Sequence, residues 1–134
     1  MYRDDSLCRQ FGQILHGEAK VQHGGCSVGL RRDIAVTLYG RPTSTLMEVE
    51  VWFESLGTDG RALCFGEVAI LQEEVPGFTS LLIRQDIPVS AIHNHWLLTK
   101  PEVLYLHFQS VEPPLAFARK AANAFTALKS YPVS

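Results

Sequence analysis

The stretch "LMEVEVWFESLGTDGRALCFGEVAIL", residues 46–71, decides the fold. Apolar and polar residues alternate on both sides of "GTDG", which is the pattern of two antiparallel strands joined by a short turn. A hairpin that closes across residues 57–60 brings apolar side chains of the two strands together on one face of the sheet. These predicted core pairs are Met47 with Ile70, Val49 with Val68, Val51 with Gly66, and Phe53 with Cys64.

Apolar periodicity outside this hairpin predicts three helices and three further strands, with a fourth left open within residues 26–40. The first helix, for example, carries Leu7, Phe11 and Ile14 at helical spacing, with acidic residues before them and Gly17 behind. Hairpin strands with helices between and after them indicate an α+β fold, a two-layer sandwich with an antiparallel sheet and its helices on one face. The predicted helices span residues 4–17, 73–85 and 114–128, and the predicted strands span 26–40, 87–96 and 102–110.

Composition limits the class of protein. A chain of 134 residues with 46% hydrophobic content can bury one sizeable core, so we expect a single domain over residues 1–134. Twelve basic and fourteen acidic residues give a net charge of −2, and no basic cluster exceeds Arg31-Arg32, which argues against nucleic acid as a partner. We see no secretory signal and no apolar run near the ~18 residues of a membrane span, so we expect a cytoplasmic protein without a membrane partner.

Three cysteines are too few and too widely spaced for a disulfide framework. Cys8, Cys26 and Cys64 are an odd number and form no CxxC motif. We therefore expect all three to be buried thiols.

A polar site is predicted on the face of the sheet that the helices leave open. The hairpin register puts Glu50 directly opposite Glu67, and two carboxylates facing each other require a cation, a shared proton or water. In the second pair of strands, Ile92, Leu104, Leu106 and Phe108 supply the core face. The alternation then sends the following residues to the face of the two glutamates: His93, His95, His107, Tyr105, Val89 and Ala91.

Three imidazoles on one face favour a divalent metal ion as cofactor. Three neutral histidines with an open position are typical of catalytic zinc, whereas two histidines and a carboxylate suit iron(II), and the sequence leaves both open. We predict a metal-dependent enzyme that acts on a small molecule. The predicted metal ligands are His93, His95, His107 and Glu50, with Glu67 as catalytic general base or further ligand and with Asn94 and Tyr105 as ligand-binding residues.

Two other interpretations explain the same pattern. A non-catalytic module could use this face, with Trp52, Phe65 and Tyr105, to cover a small ligand or a second subunit in a homodimer. A structural interpretation keeps the histidines neutral and hydrogen-bonded beneath a loop formed by residues 17–31. All three interpretations depend on the strand registers, since a slip of one residue would move every histidine to the other face.

The second pair of strands resembles a bacterial family of unknown function, the LppY/LpqO-type domain. The likeness lies in an "ALHNH…P…YLH" pattern, matched here by residues 91–95, Pro101 and residues 105–107, and in an "R-D" pair at Arg32-Asp33. Where relatives have Gly-Asp before the helix, this chain has Gly66-Glu67, which keeps the acidic character. The resemblance implies no established activity, but it supports the histidines as a site.

Overall fold

The computed structural model describes residues 3–22 and 24–134. These residues contain three α-helices and nine strands. The α+β fold class is therefore confirmed. The helices are α1 (Arg3–Leu15), α2 (Val75–Arg84) and α3 (Pro114–Phe125). The strands are β1 (Ala19–Gln22), β2 (Gly25–Arg31), β3 (Val36–Leu38), β4 (Arg41–Thr43), β5 (Glu48–Glu54), β6 (Ala62–Leu71), β7 (Val89–Asn94), β8 (Thr99–Lys100) and β9 (Val103–Glu112).

Six strands form an antiparallel sheet in the order β1-β2-β5-β6-β9-β7. The predicted hairpin of β5 and β6 is confirmed, with Val49 opposite Val68, Val51 opposite Gly66, Phe53 opposite Cys64 and Glu50 opposite Glu67. The predicted partner of Met47 is wrong. Met47 lies before β5 and is buried in a cluster with Ala69, whereas Ile70 belongs to the main core. Its carbonyl accepts the Arg32 amide at 2.7 Å.

The main core lies between the large sheet and the three helices. It contains Phe11 and Leu15 of α1, Phe78 and Leu82 of α2, and Phe117 of α3, all fully buried against alternate strand residues. Removal of this apolar area from water supplies most of the driving force for the fold. The helices therefore share one face, as the alternation predicts.

A small second sheet, in the order β4-β3-β8, was not predicted. Residues 26–40, for which one strand or two were predicted, form two, because β2 ends at Arg31 and β3 begins at Val36 in the other sheet. Val36 packs against Ala69 of β6 and Tyr105 of β9. The neighbours of these two residues along their strands belong to the main core, so Ala69 and Tyr105 lie on the other face of the sheet. The small sheet thus covers one end of the face opposite the helices.

A buried ion pair lies at the break between β2 and β3. The Arg32 and Glu74 side chains are 0% and 2% exposed and are joined by two hydrogen bonds, from Nη1 to Oε1 at 2.9 Å and from Nη2 to Oε2 at 2.6 Å. Glu74 also accepts the backbone N–H of Leu71 at 2.9 Å and that of Lys129 at 2.8 Å. These contacts tie Arg32, the residue after β2, to the residue before α2.

The prediction of three free thiols is wrong for two of them. Cys8 of α1 and Cys26 of β2 form a disulfide, because the helix packs directly on the strand. Sequence spacing could not reveal this contact, since 18 positions separate the two residues. Cys64 is a buried free thiol, as predicted, and burial raises its pKa to about 12.

Residues 17–31 do not form a loop over the histidines. They contain the antiparallel pair β1 and β2 at one edge of the large sheet. The prediction that this segment covers the histidines as a loop is therefore wrong. His16 is exposed, and His23 lies outside the described residues. No helix within residues 3–22 and 24–134 is long and apolar enough to cross a bilayer.

Candidate functional site

Strands β7 and β9 bring His93 and His107 together. Tyr105 is opposite His93 and Ala91 is opposite His107, so the two histidines are diagonal neighbours on the open face. The predicted placement of His93 and His107 on one face is confirmed here. The core face differs at the edge of the sheet, where Ile92 is 45% exposed because β7 is the outermost strand among the described residues.

A β-bulge separates Val89 from the residues that follow it. The register of β7 on β9 shifts between Val89 and Ala91. Val89 therefore packs against the main core, and its predicted place beside the histidines is wrong.

The imidazole planes of His93 and His107 are inclined by 17°, and their Nε2 atoms lie 3.0 Å apart. A separation this short requires one hydrogen between the nitrogens, because two lone pairs would repel. The Nδ1 atom of His93 lies 3.0 Å from the carbonyl oxygen of Asn94, and a carbonyl oxygen can only accept. A neutral His93 that donates there carries its proton on Nδ1, and its Nε2 atom then accepts from His107.

His95 lies near this pair without joining it. Its ring centroid is 5.9 Å from that of His93 and 4.6 Å from that of Trp96, both in edge-to-face geometry. Within the described ranges, no group of three or more His, Cys, Asp or Glu residues is arranged to hold a metal ion. His95 is exposed, lies just beyond the end of β7 and lines the same pocket as His93 and His107.

Carboxylates lie beside the histidines on the same face. Glu67 is directly opposite His107 across β6 and β9, so the two side chains are within reach of each other. Glu50 is opposite Glu67, and Glu48 is two residues before it on the same face of β5. Partial burial, followed by the charges of Glu67 and Glu48, raises the pKa of Glu50. This part of the site is electronegative and favours a cation.

These side chains line an open pocket of about 320 Å³. The volume is at the lower limit of small-molecule sites, which begin at roughly 300 Å³. The pocket is lined by Thr45, Glu48, Glu67, His93, His95, Trp96, Tyr105 and His107.

Two predicted site residues lie outside this pocket. Glu50 lines a neighbouring cavity of about 210 Å³, which shares Glu48 and Glu67 with it. The Asn94 side chain donates to Glu102 at 2.8 Å, and it is the Asn94 backbone carbonyl that contacts His93. The structure therefore gives Asn94 a role in orienting an imidazole.

Tyr105 forms a wall of the pocket. Its side chain is buried, and its hydroxyl donates to the carbonyl oxygen of Leu46 at 2.6 Å. Burial raises the pKa of the phenol, and the charges of Glu48 and Glu67 add to this effect. The Tyr105 phenol is therefore neutral and held in place, so its ring shapes the pocket.

Three lining residues were missed by the sequence analysis. Glu48 could have been found, because it is two positions from Glu50 in a strand and must share its face. Trp96 follows His95 and could have been suspected as a pocket wall. Thr45 had no sequence signal, since it lies in the connection before β5 that the small sheet determines.

Residues 9–127 match the model of a family described as "Domain of Unknown Function (DUF1259)". The chain belongs to this family. The matched range includes every residue that lines the pocket and both members of the buried ion pair. The LppY/LpqO name stays a prediction from the motif alone. No curated protein and no solved structure matches the chain.

Proposed function

We propose that this protein binds one divalent transition-metal ion through His93, His107 and Glu67, and that the metal activates a small molecule in the adjoining pocket. The observation that supports this most strongly is the 3.0 Å contact between the two Nε2 atoms. The ion would take the place of the hydrogen between them, and His107 would bind it as a neutral imidazole with its proton moved from Nε2 to Nδ1.

The spacing of the two nitrogens is close to what a metal requires. Two imidazole nitrogens on a tetrahedral zinc ion, each about 2.0–2.1 Å from the metal, stand about 3.3 Å apart. The rings of His93 and His107 would therefore need to separate by only ~0.3 Å. Such a movement lies within ordinary side-chain freedom for His93, which is exposed at the sheet edge.

His93 already has the tautomer that a metal ligand needs. Its Nδ1–H donates to the Asn94 carbonyl, which leaves the Nε2 lone pair free for a metal. Histidine ligands in metal sites are usually oriented by such a second hydrogen bond to a carbonyl or carboxylate. The backbone at Asn94 would serve this purpose here.

Glu67 is the third ligand that the strand register favours, because it faces His107 directly. Two histidines and one glutamate form a ligand set used by both catalytic zinc and non-haem iron(II). Remaining coordination positions would open into the pocket, where Glu48 could accept a proton from a bound water or substrate. His95 and Trp96 at the rim would contact the substrate.

Metal content in matched variants tests the proposal. We expect about one zinc or iron(II) per chain after anaerobic loading and dialysis, and none in His93→Ala or His107→Ala. Glu67→Gln should weaken binding at least about tenfold, because it removes a charged ligand. His95→Ala and His16→Asn should both retain the ion. Unchanged metal content in folded His93→Ala would refute the proposed site.

A ligand-binding module without metal is the second candidate. One observation in its favour is that His93 and His107 already share a hydrogen bond with each other. Another is that, within the described part of the chain, no three His, Cys, Asp or Glu side chains are arranged to hold a metal ion. This candidate expects no bound metal in the wild type under any loading condition. Crystals soaked with fragments would then show neutral or cationic molecules beside Glu48 and Glu67, since no lysine or arginine lines the pocket.

A further inference from the structure

The end of strand β7 determines where the His93 imidazole points. Among the described strands, β7 pairs with β9 alone, whereas β9, which carries His107, pairs with both β6 and β7. His93 and the residue after it, Asn94, are both exposed. The backbone at His107 is therefore held on two sides, and the position of His93 depends on the contacts made at the end of its own strand.

One such contact is a hydrogen bond between Asn94 and Glu102. The Asn94 Nδ2 atom donates to Oε2 of Glu102 at 2.8 Å. An ionised acceptor makes such a bond stronger than one between two neutral groups. Glu102 is itself exposed, but the next residue, Val103, is 1% exposed and pairs with Leu71 in the large sheet. The bond therefore joins the end of β7 to a fixed part of the chain.

Asn94 in turn acts on His93 through its backbone. The Asn94 carbonyl oxygen lies 3.0 Å from Nδ1 of His93, and Nε2 of His93 lies 3.0 Å from Nε2 of His107. The direction of this carbonyl therefore decides which nitrogen of His93 carries the proton and which one faces His107. If the carbonyl turned away, the His93 ring could rotate or adopt the other tautomer.

We propose that Glu102 is a positioning residue for His93: it holds the Asn94 side chain and thereby keeps the Asn94 carbonyl directed at Nδ1 of the imidazole. Glu102 is not among the residues that line the pocket, so it acts through Asn94. Its effect on the His93 ring is present without a metal ion, whereas its effect on metal binding rests on the function proposed above. Removal of the groups that orient a histidine ligand typically lowers metal affinity by about 10- to 100-fold.

Nitrogen-15 NMR of the imidazoles in the metal-free full chain tests the proposal. At mildly alkaline pH, where histidines are neutral, we expect His93 to be protonated on Nδ1 in the wild type and to show both tautomers in Glu102→Ala. Glu102→Gln keeps an acceptor for Asn94 without the charge, so it should retain the wild-type tautomer. Asn94→Ala should reproduce the effect of Glu102→Ala. The double variant should show no larger effect, because the two residues act as a unit.

Zinc affinity, measured by competition with a chelator, tests the consequence for the proposed metal site. We expect Glu102→Ala to weaken zinc binding at least about tenfold and Glu102→Gln to weaken it by less than about threefold. Glu18→Ala is the matched control, because Glu18 is also an exposed glutamate directly before a strand, β1. It should leave both the tautomer and the zinc affinity unchanged.

Circular dichroism first establishes that each variant is folded, and Asn94→Ala replaces Glu102→Ala if the latter does not fold. An unchanged His93 tautomer in the folded variant overturns the proposal, as does an equal change in Glu18→Ala. An effect of Glu102→Gln as large as that of Glu102→Ala also overturns it, because the charge alone would then be responsible. A wild type that binds no zinc refutes the proposed metal site instead, and the tautomers still decide the role of Glu102.

Discussion

Replacing Glu74 with glutamine should remove a large part of the protein's stability. The carboxylate accepts four hydrogen bonds, two from Arg32 and one each from the amides of Leu71 and Lys129, over distances from 2.6 to 2.9 Å. The side-chain amide keeps one acceptor oxygen but leaves the Arg32 charge buried without a counter-ion. Breaking a buried pair in this way costs about 3–5 kcal/mol. At about 4 °C per kcal/mol, the melting temperature should fall by roughly 12–20 °C.

Thermal and urea denaturation followed by circular dichroism at neutral pH measure this loss. Burial raises the pKa of Glu74, but the hydrogen bonds from Arg32, Lys129 and Leu71 outweigh burial and hold the pKa below its usual value. The stabilisation that the ionised Glu74 carboxylate provides is therefore complete at pH values above the ordinary carboxyl pKa and is lost as the pH falls. The free energies of unfolding of wild type and variant should therefore converge in acid.

Two control variants make the Glu74 result specific. Glu73→Gln breaks only the exposed pair with Lys129 and should change stability little. Arg32→Met/Glu74→Gln removes the buried charge together with its partner and should recover much of the loss. A loss below about 1 kcal/mol in the Glu74 single variant would refute the reasoning.

Three further effects on stability follow from the fold. Replacing Cys8 and Cys26 with serine, or reducing their disulfide, should cost about 3 kcal/mol for a link across 18 positions, measured by urea denaturation. Gly66→Ala should cost about 1–3 kcal/mol in the same assay, because a Cβ at this position overlaps the ring of Phe108. Glu50→Gln should stabilise the metal-free protein by about 0.5 kcal/mol at neutral pH. The raised pKa of Glu50 means that its charge opposes folding, so this gain should vanish below about pH 4.

The sequence predicted those parts of the fold in which local pattern and packing agree. Strict alternation in residues 46–71 was enough to give the register that places Glu50 opposite Glu67. The alternation of β9 likewise put His107 on the open face, diagonal to His93. In both cases one face of the strand is buried, so a slip of register would expose the core.

The remaining features depend on contacts between distant parts of the chain. Arg32 continues the alternation of a strand, and its burial depends on a contact with Glu74, 42 positions away, which no local pattern contains. The Cys8–Cys26 disulfide similarly requires the packing of a helix on a strand. The exclusion of His95 from the histidine pair depends on where β7 ends, and boundaries of elements are weakly encoded in local sequence.

Anomalous diffraction from crystals soaked with zinc, recorded at the zinc absorption edge, tests the central claim most directly. The account predicts one peak between His93 and His107, about 2.0–2.1 Å from each Nε2 atom, with a Glu67 oxygen as a third ligand. Soaked crystals in which the two Nε2 atoms keep their 3.0 Å contact, with no peak between them, would contradict it.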